Sequence, residues 1–297
     1  MDRAPVHEPV LLAETVGLLE PSRGGVFVDC TVGLAGHARA LLDGGVARLI
    51  GLDRDPDALR LAAASLAAWG ERVELVHADY RQIGLVLDER GIGGIDGALA
   101  DLGVSSMQFD TEGRGFSFRR DEPLDMRMDQ TQGPTAADLL QTVDEQELAN
   151  VIFQFGEERF SRRIARGLVE ARRVAPVATT GQLAQIVRRA VPRRGYQRID
   201  PATRTFQALR IWVNRELDGL DAFLVETSRR LRAGARLAVI TFHSLEDRIV
   251  KHTFRALAAG ETALRVLTRK PVTPAEAEVA RNPRARSAKL RAIERLA

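Results

Sequence analysis

Read for its alternation of apolar and polar positions, the chain opens on a short amphipathic helix over Val10–Leu19, stopped by Glu20-Pro21. A repeating β–α rhythm follows. Val26-Phe27-Val28 is a short apolar strand ending at Asp29, and a glycine-bearing turn leads into a helix over residues 35–42. Ala47–Leu52 predicts a second strand ending at Asp53, and the Ala- and Leu-rich stretch Pro56–Trp69 predicts a helix. Val73–His77 is a third strand with Asp79 just beyond it, and Gly97–Leu102 a fourth carrying Asp101. Strands alternating with helices imply parallel pairing in a layered α/β sheet. Each strand places an aspartate at or just past its C-terminal end, the edge at which open α/β sheets bind ligands.

The rhythm then breaks. From Met107 to Asp200 the pattern yields helices and loops but no convincing strand. It resumes with helices at Ala202–Leu217 and Leu220–Leu231, a strong strand at Arg236–Phe242, and two short strands at Ala263–Leu267 and Lys289–Ile293. The expected organisation is one α/β domain, residues 1–106 with 201–297, interrupted by a helical domain over residues 107–200.

Charge sharpens the picture of that interruption. The 297-residue chain has a formal net charge of only +3, yet 43 residues are basic and only Lys251, Lys270 and Lys289 of these are lysines. Residues 107–158 hold 12 acidic and 4 basic residues, a net of −8, whereas residues 159–215 hold 14 basic and 2 acidic, a net of +12. Arginine pairs recur in the basic block at 162–163, 172–173, 188–189 and 193–194. Such density suits a nucleic-acid backbone; the alternative is that these arginines pair with the acidic stretch or coat helices. Cys30 is the sole cysteine, which excludes an internal disulfide and a cysteine-cluster zinc site and fits a reducing cytoplasm. The five histidines form no HExxH pattern, so no metal site is expected. No apolar run reaches the roughly 18 residues of a membrane span, and the N-terminal stretch does not read as a signal peptide.

The turn after the first strand reads Val26-Phe-Val-Asp-Cys-Thr-Val-Gly33-Leu-Ala-Gly36-His37. Thr31 stands where a dinucleotide fingerprint needs its first glycine, and no Gly-Lys-Ser/Thr follows to make a P-loop. The turn is more similar to the first motif of class I methyltransferases. Their cofactor, S-adenosylmethionine, has no phosphate, so no cationic cradle is required. Small residues admit its backbone approach, and a carboxylate suits its positive end. Asp53 is placed to accept from ribose hydroxyls, Tyr80 to pack on adenine, and Asp101 to lie beside the point of methyl transfer. Taken singly, an aspartate at a strand end is more often a turn or cap residue; four in phase on one rim read as a site. Cys30 and Thr31 read as packing and turn residues, and Phe27 and Trp69 as core.

Longer strings carry a closer resemblance. They are His7-Glu-Pro-Val-Leu-Leu12, Asp29-Cys-Thr-Val-Gly33, Asp101-Leu-Gly-Val-Ser-Ser106, Gly115-Phe-Ser-Phe118 and Leu124-Asp-Met-Arg-Met-Asp129. Pro201-Ala-Thr-Arg-Thr-Phe-Gln-Ala-Leu-Arg210, Phe242-His-Ser-Leu-Glu-Asp-Arg248 and Asn282-Pro-Arg-Ala-Arg-Ser-Ala-Lys-Leu290 complete the order. Over nearly its whole length the chain resembles the MraW family of bacterial methyltransferases, which modify a decoding-centre cytidine of 16S ribosomal RNA at its exocyclic N4 amine. The resemblance implies a class I, Rossmann-like S-adenosylmethionine-dependent methyltransferase sheet with an inserted all-helical domain. It implies 16S rRNA in the small ribosomal subunit as partner, with cytidine 1402 as target. By motif position Gly33, Ala35, Gly36, His37, Asp53, Tyr80, Asp101 and Gln108 correspond to the family's cofactor contacts. The RNA-binding candidates are Arg193, Arg194 and Arg204. In two places the chain departs from the family. Leu34 and Ala35 stand in a turn that is often richer in glycine, and Asp200 stands where the family often has a histidine, so no histidine role transfers there.

A cytosine N4 amine is a poor nucleophile because its lone pair is delocalised into the ring. Methylating it needs that pair freed and an acceptor for the proton. Many amino-methylating enzymes follow strand four with an acid or Asn, two prolines and an aromatic; here the acid, Asp101, is kept and the rest is absent. Asp101 is the catalytic candidate, with cofactor orientation as its alternative role. His243-Ser244 is a second candidate for touching the base, or a satisfied histidine at a strand end. Ser105 and Ser106 could cap a helix. Arg119, Arg120 and Arg127 flank the expected cleft, or pair with Asp121, Asp125 and Asp129. Phe116 and Phe118 stack on an extruded base, or pack the inserted domain. The tail, Ala263–Ala297, with 9 basic and 3 acidic residues, completes the sheet edge, contacts RNA, or both. Two rival functions stand beside methylation of rRNA: a non-catalytic RNA-binding assembly factor, and a methyltransferase acting on protein or a small molecule. A homodimer is left open.

Overall fold

The chain's structure, a computed structural model, describes residues 9–192, 200–260 and 263–297. The first part runs α1 (Leu12–Leu19), β1 (Val26–Asp29), α2 (Gly36–Asp43), β2 (Arg48–Asp53), α3 (Pro56–Leu66), β3 (Val73–His77), α4 (Ile83–Glu89) and β4 (Ile95–Asp101). Six helices follow: α5 (Ser106–Asp110), α6 (Ala136–Thr142), α7 (Glu145–Gly156), α8 (Ser161–Val174), α9 (Thr180–Ala190) and α10 (Ala202–Asn214). The last part runs α11 (Leu220–Arg230), β5 (Leu231–Thr241), α12 (Ser244–Gly260), β6 (Leu264–Val266), α13 (Glu276–Arg281) and β7 (Lys289–Arg295).

The strands form a seven-stranded sheet in the order β3-β2-β1-β4-β5-β7-β6. The first five are parallel, and β7 runs antiparallel between β5 and β6. Their interiors are almost continuously apolar because helices cover both faces. On one face Ile83, Leu87, Phe223, Leu224, Val250 and Phe254, from α4, α11 and α12, pack into a single cluster with Val28, Ile50, Ala98 and Val239. On the other, Leu19, Leu41, Leu42, Ala62 and Leu66, from α1, α2 and α3, pack with Phe27, Leu49, Leu99 and Ala238. Register then sets the rim. Asp29 lies opposite Gly51 on β2 and Leu99 on β4, Asp53 opposite His77, and Asp101 opposite Ile240.

The chain divides into two compact units, Met1–Gly103 with Gly219–Ala297, and Val104–Asp218. α10, expected with the sheet, therefore belongs to the helical unit. It approaches α7 closely because Gly156 has no side chain: a Cβ there would lie 2.6 Å from the Arg204 carbonyl oxygen. The helical unit has its own core, including Leu148, Ile152, Ile164, Leu168, Leu183, Val187, Phe206 and Leu209. Phe116 and Phe118 pack into it, edge-on against Phe109 and Phe206. Asn214 fastens the non-helical segment before α6 to α10: its amide nitrogen donates to the Met126 carbonyl (2.7 Å) and its oxygen accepts from the Met128 amide (2.7 Å).

Candidate functional site

The rim is built by the turn that leaves β1. Cys30 continues the ladder with its amide on the Leu99 carbonyl (2.8 Å), and Val32 donates to Leu52 (2.8 Å). Between them Thr31 Oγ1 accepts from the Asp101 amide at 2.7 Å, which ties the turn to the end of β4. Gly33 takes a left-handed conformation (φ 49°) and its amide donates to Asp53 Oδ2 at 2.8 Å. The Asp55 amide donates to Asp53 Oδ1 at 2.9 Å. Asp53 thus holds two backbone amides, and the lone pairs left over on its oxygens are what remain for a ribose. Ala35 is also left-handed (φ 64°) and caps α2. Gly36 needs its missing side chain for another reason, since a Cβ there would collide with Pro9. One position on, His37 is buried with Nε2 3.0 Å from the Val10 carbonyl and Nδ1 3.7 Å from Asp101 Oδ2.

Three carboxyls at this rim are pushed toward the neutral form. Burial raises Asp29 to about 7, against its hydrogen bond from the Thr31 amide. Burial raises Asp53 to about 6, with the Asp55 and Gly33 amides opposing. Asp101 is raised well above the carboxylate range by burial, and then by the neighbouring charges of Asp29 and Glu246. Its side chain keeps about a quarter of its surface (24%), but Oδ1 is buried and has no hydrogen-bond partner among the described residues. Neither Asp29 nor Asp101 has an Arg or Lys partner there. A pair of buried acids with no Arg or Lys beside them, Asp29 and Asp101, favours a ligand that brings positive charge and no phosphate. S-adenosylmethionine, with its sulfonium and amino group, meets that description.

The other expected residues fall out unevenly. Asp79 caps a short turn and pairs with Arg81 (2.6 Å); burial pushes it up, but the Arg81 hydrogen bonds outweigh this and leave it below its ordinary value. The Tyr80 ring packs edge-on against Phe223 (4.7 Å between centres), in the core cluster of α11. Gln108 lies in the helical unit and makes a reciprocal cap with Ser105: the Ser105 amide donates to Gln108 Oε1 (3.0 Å) and the Gln108 amide to Ser105 Oγ (3.3 Å). Ser105 is therefore the cap it was expected to be. Arg127 is locked to Asp125 (2.7 Å) and Arg120 pairs with Glu112 (2.9 Å). Arg204 reaches the Glu157 carbonyl (3.4 Å) and lies 3.7 Å from Glu158, with more than half its surface exposed. Arg193 and Arg194 lie outside the described residues. His243 is close to Glu246, Nε2 to Oε1 3.1 Å, without the geometry of a hydrogen bond.

Two residues matter more than their sequence suggests. Thr31, read as a turn residue, holds the Asp101 backbone. Glu246 is buried and accepts from the Phe242 and His243 amides (2.9 and 3.3 Å), capping the entry to α12. The sequence signal for Glu246 is an acid in the first turn of a helix, four residues past the apolar run that ends at Phe242.

The chain matches the MraW methylase family over residues 4–296. It belongs to that family. Relatives named Ribosomal RNA small subunit methyltransferase H agree along the whole length. The one from Geobacter sulfurreducens is 51% identical, covering 98% of this chain and 99% of its own. That from Nitrobacter hamburgensis is 51% identical, covering 100% and 93%. Among solved structures, an rRNA methylase from Streptococcus thermophilus aligns over 99% of this chain and 100% of its own, at 13% identity and a TM-score of 0.43; so slight a likeness adds nothing to the argument. As an MraW methylase with this strand order, the protein is a class I, Rossmann-like methyltransferase whose cofactor is S-adenosylmethionine.

Proposed function

We propose that this MraW methylase is a cytoplasmic enzyme that methylates the N4 amine of cytidine 1402 in 16S rRNA, within the small ribosomal subunit. The observation that carries the chemistry is the buried, unpartnered Oδ1 of Asp101. When bound, S-adenosylmethionine supplies an electrophilic methyl group. Gly33, Ala35, Gly36 and His37 form the turn that would hold it, with Asp53 toward its ribose and Tyr80 toward its adenine. Burial, and then the neighbouring charges of Asp29 and Glu246, push the Asp101 carboxyl up. A cation beside it would favour the carboxylate, the form that can accept a proton. Asp101 then takes the proton that N4 gives up, which frees the nitrogen lone pair.

The helical unit supports an RNA substrate. Arg172 and Arg188 of the basic block are structural, the first on the Leu140 carbonyl (2.6 Å), the second on Asp200 (2.8 Å). Their neighbours Arg173 and Arg189, with Arg162 and Arg163, are exposed and carry no ion pair among the described residues. With Arg193, Arg194 and Arg204 they are the proposed backbone contacts. The decisive experiment incubates the protein with labelled S-adenosylmethionine and under-methylated small subunits, then separates the nucleosides. Label in N4-methylcytidine is expected; label in protein, or in another nucleoside, overturns the assignment.

A further inference from the structure

The C-terminal half of the sheet-bearing unit holds a second cationic feature that the methyl-transfer chemistry does not use. A cavity of about 280 Å³ lies between α12, the end of β6 and β7. Its floor is apolar, with Phe254 fully buried. Its walls carry Lys251 and Arg255, one helical turn apart on α12, Arg269 just past β6, and Arg291 on β7. No acidic residue lines it. Arg291 is 5% exposed and is oriented by Asp247, to which its Nε donates at 2.6 Å; Lys289 shares the same carboxylate at 3.1 Å. Its terminal guanidinium nitrogens make no hydrogen bond among the described residues. Lys251, Arg255 and Arg269 have no ion pair at all among the described residues. Other arginines of the sheet-bearing unit, by contrast, are paired: Arg48, Arg90, Arg230, Arg232 and Arg236 each meet a carboxylate within 3 Å.

Four cations converging on an uncharged floor, one of them buried and pre-oriented, form an anion site. Arginine presents a planar donor fork suited to phosphate oxygens. Position indicates the source of the phosphate. β6 runs parallel to β5, and Thr268 at its end accepts from the Ala292 amide (2.9 Å), so Arg269 stands toward the rim where β1 to β5 end. Three strand spacings, about 14 Å, separate β4 with Asp101 from β6.

We propose that this cavity binds a backbone phosphodiester of the substrate RNA, holding the strand on the sheet-bearing unit beside the nucleotide that is methylated. The proposal rests on the RNA reading above and adds a contact outside the basic block of the helical unit.

The test uses the whole protein with Arg255→Gln and Arg269→Gln, singly and together; both side chains are exposed, so folding is spared. Arg60→Gln, on an exposed face of α3, is the control. A labelled decoding-centre RNA is titrated at several salt concentrations, and methylation kinetics are run on under-methylated small subunits. The double variant is expected to raise KM about tenfold with kcat unchanged. It should make the dependence of log affinity on log salt shallower by about two. Cofactor affinity and the control should be unchanged. An unaltered KM and salt slope in the double variant overturns the proposal. If inorganic phosphate protects the wild type, but not the variant, from thermal unfolding while RNA affinity is equal in both, the cavity is a site for a free anion and the proposal is also overturned. Should the wild type put no label into rRNA, the substrate reading fails, and the RNA titration, which needs no turnover, still decides the cavity.

Discussion

Asp101 is the residue on which the chemistry turns, and a substitution that keeps its shape separates its two roles. Asp101→Asn should lower kcat by about a hundredfold or more at saturating cofactor, a loss that further cofactor does not restore. Lost affinity with normal turnover at saturation would instead make Asp101 an orienting residue. Asp29 carries a pH signature. Its folded pKa of about 7 lies above the ordinary 3.8, so its contribution to stability is present below about pH 4 and is lost as pH rises through 7. Asp53, at about 6, behaves likewise over a slightly lower window. Asp29→Asn should therefore gain stability relative to wild type between pH 5 and pH 8 in the unliganded protein, measured by thermal unfolding. A wild-type minus variant difference that is flat over this range excludes the effect. Because a bound cation favours the carboxylates, cofactor affinity should rise over the same range, with proton release visible in buffers of different ionisation enthalpy.

At the scale of elements, the turn after β1 is a scaffold before it is a binding surface. Thr31→Val should strand the Asp101 amide, which now donates to Thr31 Oγ1 at 2.7 Å. The expected loss is about 1–3 kcal/mol, readable in denaturant unfolding, with a fall in turnover as the β4 end loosens. In the helical unit Asn214→Leu removes the two bonds to Met126 and Met128 together and should cost at least as much.

Most strands were legible from sequence because they are buried on both faces and read as apolar runs ending in aspartate. Three helices, α4, α12 and α13, are not evident from the pattern. α4 carries Gly84 within an apolar run, α12 begins with acids, Glu246 and Asp247, that are buried by specific partners, and α13 is six residues with no buried face. The acid rim was legible as a row of aspartates. Its division of labour was not, because Asp53 and Asp79 are engaged by local backbone and arginine partners, and only folding brings Asp29 and Glu246 to bear on Asp101. The end of the insertion was misplaced because α10 has the same amphipathic pattern as a sheet-covering helix. Its partner, α7, is identified only by the close approach at Gly156.

For the whole molecule, the small net charge conceals a division of tasks between the two units. The sheet-bearing unit concentrates buried carboxyls at its rim, and the helical unit carries the exposed arginines of α8 and α9. RNA affinity should therefore fall steeply with salt, whereas cofactor affinity should hardly respond, because a buried pair is little screened. Replacing Arg162, Arg163, Arg173 and Arg189 by Gln should reduce the salt slope by about one for each phosphate that is no longer neutralised and leave cofactor binding intact. A slope identical to wild type would show that these arginines only coat the helices.

The pairing of β4 with β5 has a further consequence in time. These neighbours in the sheet are separated in the chain by the whole of Val104–Asp218. As the polypeptide is synthesised, β4 is complete long before β5 exists, and it stands meanwhile as an open strand edge. The helical unit, whose core is drawn from its own residues, can fold during that wait, as domains do on the ribosome. Only when β5 arrives does Leu102 donate to Ile240 (3.0 Å) and Glu246 come to stand near Asp101. The nascent chain thus acquires its reactive centre late, after the unit proposed to hold RNA has already been made.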